Sequence, residues 1–216
     1  MKCSSDLRSL IEKVRAVKPI IHREVNRRIN EFLSFRHKGN EFWFSELCFC
    51  ILTANSSAEL GIRIQKELGF DGFYYMDKEK LSERLKDLGH RFYNKRAEYI
   101  VLARRFRNIK DIIQDIVHSS GEFEAREWLV RNVKGLGYKE ASHFMRNVGY
   151  LNFAILDRHI LKLLSSEGII EKPKTLSRRK YLEIEKVFVE IAEKLSMSPG
   201  ELDLNLWYLS TGKVLK

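Results

Sequence analysis

Cysteine is scarce in this chain. Among 216 residues there are three, Cys3, Cys48 and Cys50. So odd and sparse a set does not build a disulfide framework. Two of them fall in Leu47-Cys48-Phe49-Cys50-Ile51-Leu52, an apolar stretch where buried thiols are ordinary. The six histidines, at positions 22, 37, 90, 118, 143 and 159, show no metal-ligand spacing, so no metal site is expected. Long apolar runs are missing too. None approaches the ~20 residues of a spanning helix. Met1-Lys2-Cys3-Ser4-Ser5-Asp6 carries no apolar segment of signal-peptide type. An intracellular protein without a membrane anchor is the expectation. Strand-type alternation, internal repeats and low-complexity tracts are also lacking, and there are only three prolines. The chain therefore reads as all-α.

Acid is the deficient charge. Lys and Arg number 39 against 29 Asp and Glu, giving a net charge of +10 and a sequence pI near 9.5. Such a balance favours a polyanionic partner, nucleic acid before a membrane surface. A hydrophobic content of 44% fits a globular chain with a sizeable core and argues against disorder.

The helical periodicity runs the length of the chain. Residues 6–36 form one helix with a stripe of Leu7, Leu10, Ile11, Val14 and Val17. Pro19 then permits a kink or a new start, followed by Ile21, Val25, Ile29 and Leu33. Arg23, Arg27, Arg28 and Lys38 on the second half suit either a solvated face or a nucleic-acid contact. Phe44 to Leu52 is apolar nearly all round and reads as a buried central helix. It ends in Thr53-Ala54-Asn55-Ser56-Ser57, and one of the serines caps the next helix, residues 58–68. A short helix spans residues 78–88. Then come Phe92, Tyr93, Lys95 and Arg96, with rings and cations interleaved. Such rings either anchor the helix over 95–106 or stack on bases. Two helices follow over 111–133, broken at Ser119-Ser120-Gly121. Another spans 182–195. Ser198-Pro199-Gly200-Glu201 is a capping box opening the last helix.

The most informative stretch is residues 131–160. Lys134-Gly135-Leu136-Gly137 is a tight turn with two glycines, which accept backbone angles other residues avoid and leave N–H groups bare for a phosphate. Val130 and Val133 suggest a helix entering it. Ala141, Phe144, Met145 and Val148 mark the helix leaving it. The arrangement is a helix-hairpin-helix, a grip for a phosphate backbone. Lys139 sits in the first turn of the second helix. There the positive end of the macrodipole disfavours the ammonium form and frees the amine as a nucleophile. Asp157, between Phe153-Ala154-Ile155-Leu156 and the run beginning at Arg158, falls at the N-cap of a further helix. Capping alone would account for an aspartate there.

Hairpin, Gly137-Tyr138-Lys139 and Asp157 together resemble the helix-hairpin-helix DNA glycosylase superfamily. Tyr93-Asn94-Lys95-Arg96-Ala97 matches a further segment of that superfamily. Four other stretches are similar to the type-2 8-oxoguanine DNA glycosylases in particular. They are Glu46-Leu47 to Ser57, His90-Arg91-Phe92-Tyr93, Ala141-Ser142-His143-Phe144, and the ending Leu204-x-Leu206-Trp207-Tyr208 with Gly212-Lys213 and Lys216. No cysteine follows residue 50, so the C-terminal iron–sulfur site of endonuclease III relatives has no ligands here.

The resemblance implies a bifunctional glycosylase/AP lyase acting on oxidised guanine in double-stranded DNA. It implies neither cofactor nor metal, and a monomer is the expected state. Lys139 takes the place of the Schiff-base lysine and Asp157 that of the aspartate assisting base loss. Lys134, Gly135 and Gly137 would hold the DNA backbone. Phe92 and Trp207 would offer flat faces to bases, and Lys216 would help recognise the lesion. A chain-terminal carboxylate is an acceptor-only partner for the adjacent donors of the lesion base. Two helical subdomains flanking a cleft, with the hairpin at its edge, are implied as well. One is expected over residues 40–133 and the other over 1–39 with 134–216. A non-catalytic helix-hairpin-helix module, a glycosylase for alkylated bases and a thymine-glycol lyase are the alternatives.

Overall fold

The computed structural model describes residues 4–216. The helices run α1 (Ser4–Phe35), α2 (Asn40–Thr53), α3 (Ala58–Tyr75), α4 (Lys78–Asp87), α5 (Tyr93–Ala103), α6 (Ile109–Ser120), α7 (Glu122–Asn132), α8 (Tyr138–Asn147), α9 (Arg158–Ser166), α10 (Arg178–Lys194) and α11 (Pro199–Thr211). No strand occurs among the described residues. The all-α expectation holds, and no described helix is long and apolar enough to cross a membrane.

Pro19 lies inside α1 without ending it. The buried stripe of α1 is Leu10, Val14, Ile21, Val25 and Phe32, whereas Leu33 is exposed. A strict spacing of four drifts about 40° per step on a 3.6-residue helix. Leu33, three such steps past Ile21, has rotated off the buried face, while Phe32 stays on it. Helix α3 runs to Tyr75, past the expected stop at Leu68. Gly69, at φ +58, breaks the helical geometry there without ending the element.

Packing divides the chain into two units. One takes α1 up to Leu33 together with Gly149–Lys216, and the other is Ser34–Val148. This differs from the division expected at 39/40 and 133/134, and α8 is the reason. Its apolar stripe, Ala141, Phe144, Met145 and Val148, is buried against α2 and α7. Phe144 meets Trp43 edge-on at 5.9 Å, burial worth roughly 2–3 kcal/mol per ring side chain. The Asn147 side-chain amide donates to Glu46 at 2.6 Å. The hairpin and its second helix therefore belong to the central unit.

Helix α2 is the axis of that unit. Trp43, Phe44, Leu47, Cys48, Phe49, Cys50, Ile51 and Leu52 are all fully buried. An element hydrophobic all round needs neighbours on every side, and α3, α5, α6 and α8 supply them. Burial pushes the Cys48 thiol well above its usual value, only partly countered by Arg104, so it is an inert packing group.

In the other unit, Ile21, Val25 and Phe32 of α1 pack with Leu204 of α11 and Val214 of the chain end. Residues 150–157 carry no helix, yet Phe153, Ala154, Ile155 and Leu156 are buried. Three bonds pin this segment. Gly200 N–H donates to the Leu151 carbonyl at 2.8 Å, Tyr181 Oη to the Ala154 carbonyl at 2.6 Å, and Ala154 N–H to Glu185 at 3.3 Å. Asp157 follows directly.

Candidate active site

The hairpin is built as its glycines suggest, but the two glycines have different reasons. Gly135 has φ +93, and a Cβ there would lie 2.4 Å from Cδ2 of Tyr99. Only glycine fits both the backbone and the ring. Gly137 is extended, φ −94 and ψ −172, which any residue adopts. What it contributes is the absence of a side chain at the N-cap of α8. The helix has no side-chain cap at this position, so its first-turn N–H groups, at the positive end of the dipole, face outward. Lys134 is exposed beside them. A concavity of about 420 Å³ adjoins the turn, its lining including Arg105, Phe106, Asn132 and Lys134.

Lys139 occupies the first turn of α8. Its Nζ lies 3.3 Å from Oε1 of Glu140, with the two side chains 20% and 15% exposed. The other Glu140 oxygen, Oε2, accepts the Gly137 N–H at 3.2 Å. The helix itself is held rigidly. Tyr138 Oη donates to Glu127 at 2.6 Å and Arg126 donates to Ser142 at 3.2 Å, both from α7. Lys139 thus projects from an element whose position is fixed by packing.

The second turn of α5 lies beside the hairpin, because Gly135 rests against Tyr99. Arg96 stands 5.8 Å from the Tyr99 ring and 5.9 Å from the Phe92 ring, and Arg91 lies 4.4 Å from Phe92. Phe92 is 37% exposed, a ring flanked by two guanidiniums and not a core anchor. Beneath it His90 is buried. Its Nε2–H donates to the Leu52 carbonyl at 3.0 Å, and its Nδ1 accepts the Phe92 N–H at 3.1 Å. Both bonds are satisfied together only by the neutral imidazole. Burial, followed by Arg96 and Arg91, holds the His90 pKa below the usual 6.5, against an opposing contribution from the Leu52 bond.

Asp157 lies in the other unit, at the N-cap of α9. Its Oδ1 accepts two N–H groups, His159 at 2.8 Å and Ile160 at 2.9 Å. Capping therefore occupies one carboxylate oxygen, and Oδ2 takes no hydrogen bond among the described residues. The capping and functional readings of this aspartate use different atoms and are compatible.

The same unit holds Trp207 and Lys216. The Trp207 ring meets His159 of α9 at 4.9 Å and 68°, which links it to the helix that Asp157 caps. Its indole N–H and the Ser210 hydroxyl one turn later are buried without a hydrogen-bond partner among the described residues. Buried polar groups of this kind are rare in folded proteins and call for a reason. The chain end is anchored, not frayed. Gly212 takes the left-handed φ of +72 that ends α11, and Val214, 7% exposed, then inserts into the core cluster of this unit. Lys216 stands two residues beyond that anchor.

So the structure groups Lys134, Gly135, Gly137, Lys139 and Phe92 on one unit and Asp157, Trp207 and Lys216 on the other. Arg27 and Arg28 pair within α1 with Glu24 at 3.0 Å and Glu31 at 2.7 Å; Arg27 is exposed, whereas Arg28 is half-buried. Sequence reasoning quoted His90 only within a matching stretch, and missed Glu140, Tyr99, His159 and Val214. The spacing Gly137-x-x-Glu140 is the capping-box signature and would have singled out Glu140. Nothing local marks the others.

A family model described as 8-oxoguanine DNA glycosylase matches residues 25–197. An 8-oxoguanine DNA glycosylase/AP lyase of Methanocaldococcus jannaschii is 60% identical over 96% of this chain and 99% of its own length. A crystal structure of the 8-oxoguanine glycosylase/lyase from that organism, in complex with a 15-mer DNA containing 8-oxoguanine, has TM-score 0.93 at 60% identity. It covers 96% of this chain and all of that one. The 8-oxoguanine DNA glycosylase of Thermotoga maritima has TM-score 0.91 at 43% identity, covering 97% of this chain and all of that one. On this likeness of sequence and fold, the chain belongs to the 8-oxoguanine DNA glycosylase family.

Proposed function

We propose that this protein excises 8-oxoguanine from double-stranded DNA and cuts the strand at the resulting site, with Lys139 as the covalent nucleophile. The observation that carries the assignment of Lys139 is its place. It stands two residues past a glycine-capped helix start able to hold a phosphate, on a helix locked into the core, in a chain of this family.

The target nucleotide leaves the base stack. The neutral Nζ of Lys139 attacks the sugar C1′. The N–C1′ bond forms as the glycosidic bond breaks, and the base departs with the electron pair. Loss of a proton from nitrogen lets the C1′–O4′ bond break, with O4′ taking up a proton as the sugar ring opens, and the protonated imine so formed acidifies the C2′ proton. Its loss expels the 3′ phosphate by β-elimination, which cuts the strand on the 3′ side of the lesion. Asp157 offers the negative charge of its uncapped oxygen to the positive charge developing on the sugar. Such electrostatic help is worth on the order of 10²-fold in rate or more. The first-turn N–H groups of α8 and Lys134 hold backbone phosphates, which carries no sequence information. Trp207 and Lys216 read the base. Phe92, exposed between two cations, stacks on DNA bases.

Borohydride trapping tests this reading on matched duplexes carrying 8-oxoguanine, thymine glycol or a plain abasic site. The expected result is an adduct with 8-oxoguanine and with the abasic site. A preference for thymine glycol would overturn the substrate assignment, and no adduct with any duplex would overturn the lyase mechanism.

A further inference from the structure

An attacking lysine must lose a proton before it forms a bond to carbon, and the mechanism above leaves that proton without a destination. Glu140 is the ion-pair partner of Lys139 among the described residues, at 3.3 Å from Nζ. Its two oxygens have separate tasks. Oε2 takes the Gly137 N–H at 3.2 Å, which fixes the carboxylate against the hairpin. Oε1 is the one turned to the lysine.

The other charged groups around this helix are engaged elsewhere. On α7, Arg126 bonds Ser142 and Glu127 bonds Tyr138. On α2, Glu46 bonds Asn147. On α5, Arg96 acts on Glu140 through its charge and gives a hydrogen bond to the Ala54 carbonyl. The Arg96 charge and the Gly137 amide thus both act on the Glu140 carboxylate.

From this geometry we infer that Glu140 is the proton acceptor for Lys139. In the open site the two form an ammonium–carboxylate pair, with 20% and 15% of their side chains still in solvent. Docking of the extruded nucleotide removes that solvent. An ion pair loses its advantage over the neutral pair when both charges are desolvated. One proton then passes from Nζ to Oε1, leaving a free amine and a carboxylic acid. The amine's lone pair is released for C1′ in the same event that brings C1′ to it. The carboxylate thus guards the lysine as a solvated ion until substrate arrives.

This inference rests on Lys139 being the nucleophile, and the test separates the two. Single-turnover strand cleavage of an abasic duplex is followed from about pH 6 to about pH 10 for wild type, Glu140→Gln and Lys139→Gln. The upper limit approaches the pH at which a free lysine amine deprotonates unaided. Glutamine keeps an oxygen for the Gly137 N–H but has no basic oxygen to take the ammonium proton. Rates are referred to the concentration of sites trapped by borohydride at the endpoint, so a folding loss does not enter.

Glu140→Gln is expected to be slowed about tenfold or more near neutral pH. It should recover toward wild type as pH rises, because solvent then takes the proton. Equal rates for Glu140→Gln and wild type across the range would overturn the inference, as would a slowing that high pH does not relieve. In either case a Lys139→Gln variant that forms no adduct leaves the nucleophile assignment standing. A Lys139→Gln variant that is trapped like wild type overturns both.

Discussion

Asp157 carries a cap and a proposed charge on different oxygens, so two substitutions pull the roles apart. In Asp157→Asn the side-chain oxygen can still accept the His159 and Ile160 N–H groups, now at 2.8 and 2.9 Å. Asparagine caps as well as aspartate. Folding stability should change by only a few tenths of a kcal/mol. The outward oxygen becomes an uncharged amide, and base excision should fall by about 10²-fold or more, equivalent to about 3 kcal/mol of transition-state stabilisation. Asp157→Ala removes both functions. Loss of the cap costs about 1 kcal/mol, with a range of roughly 0.5–2. For a chain of this size that is a fall in melting temperature of about 2–4 °C. The assays are single-turnover excision of 8-oxoguanine and thermal unfolding on the same preparations. Near-normal excision by Asp157→Asn, with a lowered melting temperature in Asp157→Ala, would reduce Asp157 to a helix cap.

Three further outcomes are expected. Gly135→Ala should weaken binding to lesion and undamaged duplexes alike and lower stability by at least about 1–2 kcal/mol, from its φ of +93 and its approach to Tyr99. Gly137→Ala, extended and meeting only the flexible Glu140 carboxylate at 3.2 Å, should keep its stability; salt-dependent binding and thermal melts compare the two. Deleting Lys216, or loosening its anchor with Val214→Ala, should reduce excision of 8-oxoguanine much more than lyase action at an abasic site, which has no base to hold. Side-by-side rates on the two substrates check this, and equal losses would make the chain end a passive tail. His90, its pKa held below 6.5 in the fold, binds protons more readily when unfolded. Its contribution to stability is therefore complete above about pH 6.5 and declines as pH falls below it. Replacing it with glutamine should flatten the acid side of the melting-temperature profile, and an unchanged slope would refute the assignment.

Much of the fold was legible because local signals agreed with tertiary packing. The caps at Ser57 and Ser198, the break at Gly121 and the apolar run of α2 all stand where periodicity and turn chemistry place them. The misreadings were of another kind. Leu33 for Phe32 came from counting fours on a 3.6-residue helix. Placing 134–148 with the chain ends failed because α8 is committed to α2 and α7 by long-range contacts that no local pattern records. In the site, Lys139 and Asp157 were visible as a spaced motif. The division of labour within single carboxylates, Oδ1 against Oδ2 of Asp157 and Oε1 against Oε2 of Glu140, is a matter of geometry and has no sequence signature. The same holds for Tyr99 under Gly135 and for Val214 under the chain end.

The central claim is that the Lys139 amine makes the covalent bond to the sugar. The most direct measurement is to trap wild-type protein on an 8-oxoguanine duplex with borohydride, digest it, and locate the modified residue by mass spectrometry. The account predicts the sugar adduct on the peptide that carries Lys139, and no adduct from Lys139→Gln despite retained duplex binding. An adduct on any other lysine, or wild-type trapping by Lys139→Gln, would contradict it.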